Sequence, residues 1–212
     1  MLRHEKKARK AGYQVIAGVD EAGRGTLAGP VVAATVILKD IYFTHKIDDS
    51  KKLTPRARLS AYAEILTKAV IGIGIACEKT IDKINIANAT AKAMEDAVMD
   101  LGVIPDCVLV DGHVKLKAPC ACKFIIDGDA KSLSIACASI IAKVTRDHIM
   151  INYHKRYPQY DFAKHKGYGT RSHIAAIKKR GPSPIHRLTF KPLKNGFIPG
   201  GRPSEAGKKT IS

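Results

Sequence analysis

The chain has 212 residues, 45% of them hydrophobic, and its 36 Lys and Arg against 19 Asp and Glu leave a formal net charge of +17. That size suits one compact domain, and so large a basic excess points to a polyanionic partner, nucleic acid first. The five cysteines are odd in number and form no C-x-x-C pair, which argues against a disulfide framework and a zinc site, and no apolar run reaches the length of a membrane span.

Residues 1–12 read as a basic leader, and the apolar stretch after them stops at Asp20, too early for an export signal. Reduced thiols and the lack of such a signal lead us to expect a cytoplasmic protein. "QVIAGVD" and "GPVVAATVIL" read as strands, and "AVIGIGIACE" (69–78) as a third, close enough in sequence to be antiparallel neighbours. Between the last two, Thr54 and Pro55 fit the N-cap and first position of a helix. Ile84, Ala87, Ala91, Met94, Ala97, Val98 and Leu101 recur at helical spacing up to Gly102.

"DCVLVDG" and "CKFIIDGD" are two further short strands, closing on Asp111-Gly112 and Gly128-Asp129. A long helix from about Lys131 runs to Pro158, and "TRSHIAAIKKRG" fits a final one. Three adjacent strands followed by strands alternating with helices predict a mixed α/β sheet with helices on its faces. The expected organisation is a leader (1–12), one catalytic domain (13–190) and a basic, loosely ordered tail (191–212).

The acids carry the functional signal. Asp20 and Glu21 interrupt the first strand, where neither a turn nor a cap accounts for Asp20. Asp111 and Asp129 follow two other strands, although each also suits an ordinary turn, and Asp129 suits a helix cap. Strand ends are where open α/β sheets bind ligands, and four carboxylates together need a hard divalent cation such as Mg²⁺ or Mn²⁺ to remain ionised. Glu21 poses a difficulty, because neighbouring strand residues point to opposite faces; a bulge or strand end near Gly23 and Gly25 would re-aim it. A dinucleotide site is excluded, since "GRGTLAG" has the wrong spacing and leads into a strand instead of a helix.

Taken in order, "GVDEAGRGTLAGPVVAA", "DDSKKL", "LVDG", "GDAKSLSIACASIIAKVTRD", "YPQYDFAKHKGYGT" and "PIHRLTF" resemble the successive blocks of bacterial ribonuclease HII, over roughly residues 14–192. The resemblance implies a ribonuclease H-like fold with a five-stranded mixed sheet. It also implies hydrolysis of the RNA strand of RNA/DNA hybrids and cutting at single ribonucleotides in duplex DNA. By the same resemblance Asp20, Glu21 and Asp111 are metal ligands and Asp129 completes the catalytic group. Gly23, Arg24, Gly25 and Tyr168 would then read the ribose 2′-hydroxyl, the one group that distinguishes RNA from DNA at a site.

On this reading Asp20 bridges two Mg²⁺ or Mn²⁺ ions, one of them arriving with substrate. Glu21 and Asp111 serve one ion and Asp129 the other, and the products carry 5′-phosphate and 3′-hydroxyl ends. Lys51, Ser139, Lys143 and Lys166 are candidates for phosphate contacts, while His165, His186 and the other histidines are assigned to packing or surface hydrogen bonds. A monomer is expected. Two competing readings are a non-catalytic nucleic-acid-binding protein and a resolvase-type DNA nuclease. The acids speak against the first, because without metal they repel phosphate; the Gly-Arg-Gly loop and Tyr168 speak against the second.

Overall fold

The computed structural model describes residues 1–195. Five strands form one mixed sheet: β1 (Ile16–Ala22), β2 (Val31–Leu38), β3 (Ala69–Ala76), β4 (Cys107–Asp111) and β5 (Ala121–Ile125), in the order β3-β2-β1-β4-β5. The first three are antiparallel, and β1, β4 and β5 are parallel, as the spacing of the segments predicts. The apolar runs of β1, β2 and β4 are buried on both faces, so these central strands need a helix on each side.

One face packs against α3 (Glu78–Met99), where Ala17, Val19, Ala33, Val108 and Val110 meet Ala89, Ala93, Met94 and Ala97. The other face packs against α5 (Leu133–Arg156) and α2 (Pro55–Lys68), where Ala34 and Val36 meet Ile65, Cys137, Ala138 and Ile141. α5 lies so close to β1 that a Cβ on Gly18 would stand 2.4 Å from the Ile135 backbone nitrogen. Only glycine permits that approach.

Helix starts follow the local chemistry. The Thr54 hydroxyl accepts from Ala57 N (3.2 Å), with Pro55 at the first helical position, as expected. The Ser132 hydroxyl, instead of Asp129, caps α5 by accepting from Ile135 N at 3.3 Å. Asp129 sits within a separate short helix, α4 (Gly128–Lys131). α3 is broken at Asn85 (φ 66°, ψ 165°), whose side-chain oxygen accepts from Asn88 N (3.1 Å) and restarts the helix.

The basic leader is a folded element. Residues Arg3–Lys10 form α1, and Glu5 is buried against the start of α5. Its Oε1 accepts from the Ser132 hydroxyl (2.6 Å), the Ser134 hydroxyl (2.9 Å) and Ser134 N (3.0 Å). An anion at a helix N-terminus is favourably placed. Beyond α5 come α6 (Phe162–His165) and α7 (Arg171–Arg180). Of the tail expected to be loose, Leu193 is buried beside Met150 and Tyr160. Residues 196–212 of that tail lie outside the described residues.

Candidate active site

Sheet register fixes where the acids go. Asp20 pairs with Ala34, whose side chain packs on the α5 side, so Asp20 faces α5. Asp111 pairs with Ile125 and follows Val110, which faces α3, so Asp111 also faces α5. The two strands are parallel neighbours whose last paired residues are Val19 and Val110, so the two carboxylates stand side by side at the strand ends. Glu21 pairs with Ala33 on the α3 face. The ladder stays regular through Ala22, so no bulge re-aims it.

Asp20 is 4% exposed. Its Oδ1 accepts from Glu21 N at 2.6 Å. Burial raises its pKa well above the usual carboxylate range, and the charges of Glu21 and Asp111 push it further; the Ser139 hydroxyl beside it works the other way. Burial also raises Glu21, opposed by Arg24 and reinforced by Asp111. The Arg24 Nη1 lies 3.1 Å from Glu21 Oε1. Asp129 is raised by burial and by Asp49 and Asp111, with Lys51 Nζ 3.5 Å from its Oδ2.

All four acids therefore belong to one electrostatic neighbourhood although three chain segments deliver them. Asp111 Oδ1 accepts from Gly128 N (2.7 Å), which ties β4 to the helix that carries Asp129. Among the described residues no three His, Cys, Asp or Glu side chains converge closely enough to enclose one ion. The donor set nonetheless fits a hard cation: carboxylate oxygens, mutually repelling and partly desolvated, with Arg24 and Lys51 as neighbouring cations.

Beside the acids runs the loop 23–30. Gly23 has φ +97°, and a Cβ there would lie 2.0 Å from Arg146 Nε. A Cβ on Gly25 would meet nothing within 4 Å, so that side of the loop is open. Tyr168 is 44% exposed, and its ring lies under Lys143 Nζ at 5.9 Å from the centroid.

The phosphate candidates separate. Lys51 is exposed at the rim beside Asp129. Lys143 reaches Asp147 Oδ1 at 2.7 Å, and Lys166 Nζ donates to the Ala163 carbonyl. Ser139 is buried and hydrogen-bonded to the Ser50 hydroxyl (3.0 Å), so its place is beside Asp20 and not at the surface.

Two arginines escaped the sequence reading. Arg146 donates to the carbonyls of Pro30 (2.9 Å), Lys166 (2.9 Å) and Ala28 (3.0 Å) and to the Thr26 hydroxyl (2.9 Å). Arg187 donates to the carbonyls of Gly23 (2.7 Å), Arg24 (2.9 Å) and Gly29 (2.8 and 2.9 Å). Both are essentially inaccessible to solvent, and burial pushes Arg146 down to about 10 and Arg187 to about 9. Backbone carbonyls, which accept well but carry no net charge, replace the carboxylates that usually accompany buried guanidiniums. The signal was faint: Arg146 lies in a helical pattern where arginine ordinarily reads as surface.

Comparison with known proteins agrees with this architecture. A family profile for ribonuclease HII matches residues 17–193. Ribonuclease HII of Acetivibrio thermocellus is 54% identical over 191 residues, covering 90% of this chain and 75% of that protein. Its counterpart in Geobacter sulfurreducens is also 54% identical over 191 residues, covering 90% of this chain and 88% of that protein. The crystal structure of ribonuclease H2 from Pyrococcus horikoshii superposes with a TM-score of 0.72 at 25% identity, covering 86% of this chain and 96% of that one. The chain belongs to the ribonuclease HII family, hydrolases that act on RNA in RNA/DNA hybrids.

Proposed function

We propose that this protein is an endoribonuclease that cuts the RNA strand of RNA/DNA hybrids and also cuts at single ribonucleotides within duplex DNA, leaving 5′-phosphate and 3′-hydroxyl ends. The observation that carries the reading is the placement of Asp20 and Asp111 side by side on one face of adjacent parallel strands, next to a glycine loop open at Gly25.

Asp20, Glu21, Asp111 and Asp129 would hold Mg²⁺ or Mn²⁺, with substrate phosphate completing the ligand set. Two bound ions would supply activation of the attacking water and stabilisation of the departing 3′-oxygen. The protein's own part is to present ionised carboxylates in a fixed pair and to hold the ribose. Gly23, Arg24 and Gly25 offer the backbone wall, and Tyr168 offers a phenol and a ring face to the sugar. A site built to bond a hydroxyl rejects the analogue lacking it, because the buried partners are then left unpaired. Lys51 and Lys143 contact phosphate, positioning the duplex without reading sequence.

The test uses three duplexes with Mg²⁺ or Mn²⁺: an RNA/DNA hybrid, duplex DNA with one ribonucleotide, and all-DNA. Cleavage of the first two and not the third is expected. Equal cutting of all three would establish a DNA nuclease, and binding without cutting a binding protein; either result overturns the proposal.

A further inference from the structure

Tyr168 stands on a segment laced by three buried imidazoles, His165, His173 and His186. The His165 and His173 rings stack with centroids 4.2 Å apart, and His173 and His186 touch through their Nε2 atoms at 3.0 Å. The surrounding bonds leave one consistent assignment of protons. The Tyr168 carbonyl can only accept, so His173 Nδ1, 2.8 Å away, carries hydrogen. Ser183 N can only donate, so His186 Nδ1, at 2.8 Å, does not. His186 Nε2–H therefore donates to the bare Nε2 of His173.

His165 obeys the same logic. Its Nε2–H donates to the Tyr160 carbonyl (2.6 Å), and its Nδ1 accepts from Gly167 N at 3.2 Å. All six ring nitrogens are thus engaged, each ring is neutral, and no lone pair is left for a metal. Burial holds His173 and His186 at about 4 and lowers His165 as well. The charged groups acting on the cluster are Asp161 and Lys166, both on His165; His173 and His186 feel only other imidazoles.

The Tyr168 backbone is pinned from both sides by this cluster. Its N–H donates to the His165 carbonyl (2.9 Å), and its carbonyl accepts from His173 Nδ1 and from Thr170 N (2.8 Å). We infer that Ser183, His186 and His173 form a directional chain of neutral hydrogen bonds whose end at the Tyr168 carbonyl positions the Tyr168 ring for ribose recognition. His173 is then a positioning residue acting through Tyr168, and the inference rests on the proposed role of that tyrosine.

Two measurements test it. Nitrogen-15 NMR of the wild-type imidazoles at neutral pH should show hydrogen on Nδ1 of His173 and on Nε2 of His165 and His186. Any other tautomer set, or a charged ring, overturns the chain whatever the enzyme cuts. The second compares His173→Asn, whose amide can replace the Nδ1 donor, with His173→Gln, whose amide reaches only the Nε2 position. On duplex DNA with one ribonucleotide, His173→Gln should lose about tenfold in kcat/KM, and His173→Asn about twofold at most.

In a Tyr168→Ala background that difference should vanish. Equal losses in the two variants, or a difference that persists without Tyr168, would refute the positioning role. If the wild type cuts only continuous hybrids, the reading of Tyr168 fails while the tautomer result stands separately.

Discussion

The acid cluster and the proposed ribose wall lie side by side but are held by different means. Asp20 and Asp111 stand where strand register puts them, on backbones locked by ladders to β2 and β5. Loop 23–30 and segment 165–170 have no ladder of comparable length. Buried side chains grip their backbone instead: Arg146 and Arg187 on one, His165 and His173 on the other. Regular pairing fixes a carboxylate, whereas an irregular wall needs side chains from distant segments to satisfy its carbonyls.

Substitutions on the two sides should fail differently. Asp20→Asn should lower turnover by at least about a thousandfold, since it removes several kcal/mol of charge organisation around the reaction. Its effect on stability should be opposite in sign. The folded-state pKa of Asp20 is raised, so the protonated form is favoured by folding, and an ionised Asp20 costs stability above that folded pKa. Asp20→Asn should therefore raise the unfolding temperature at neutral pH in chelator, and added Mg²⁺ should raise that of the wild type more. A lower unfolding temperature in chelator would break this account.

On the wall side stability should fall first. Arg187→Lys retains the charge but not the planar fork that serves three carbonyls, and should cost about 3 kcal/mol in denaturant unfolding. Glu5→Ala should cost about 2 kcal/mol, because it leaves Ser134 N and one of two buried serine hydroxyls without an acceptor. A cost indistinguishable from zero would mean that the docking of α1 adds nothing to the fold. Lys51→Ala should change stability by less than about 0.5 kcal/mol and lower the salt slope of substrate binding by about one. A slope equal to that of the wild type would remove Lys51 from the phosphate contacts.

Much of the fold was legible because strand period, the Thr54-Pro55 start and the Gly181 stop are local signals, although α3 ends at Met99, ahead of the Gly102 expected to close it. Asp20 was legible as an acid with no local excuse, and its pairing with Ala34 shows the buried face it occupies. The difficulty foreseen for Glu21 was only partly real: its backbone keeps the strand alternation through Ala22, yet its carboxylate meets Arg24 and stays within electrostatic reach of Asp20 and Asp111. What escaped was non-local. Arg146, Arg187 and Glu5 look like solvated charges until the partners appear, 116 residues away for Arg146–Pro30, 164 for Arg187–Gly23 and 129 for Glu5–Ser134. The histidines were assigned to packing or surface hydrogen bonds, but nothing in their spacing reveals that His165, His173 and His186 meet beneath Tyr168.

The Glu5–Ser134 contact also bears on synthesis. At about 5–20 residues per second, a ribosome needs roughly ten seconds to add the 129 residues that separate this glutamate from its serine. Throughout that interval α1 has its charge but not its dock, so it cannot settle against the start of α5 until well over half of the protein has been made.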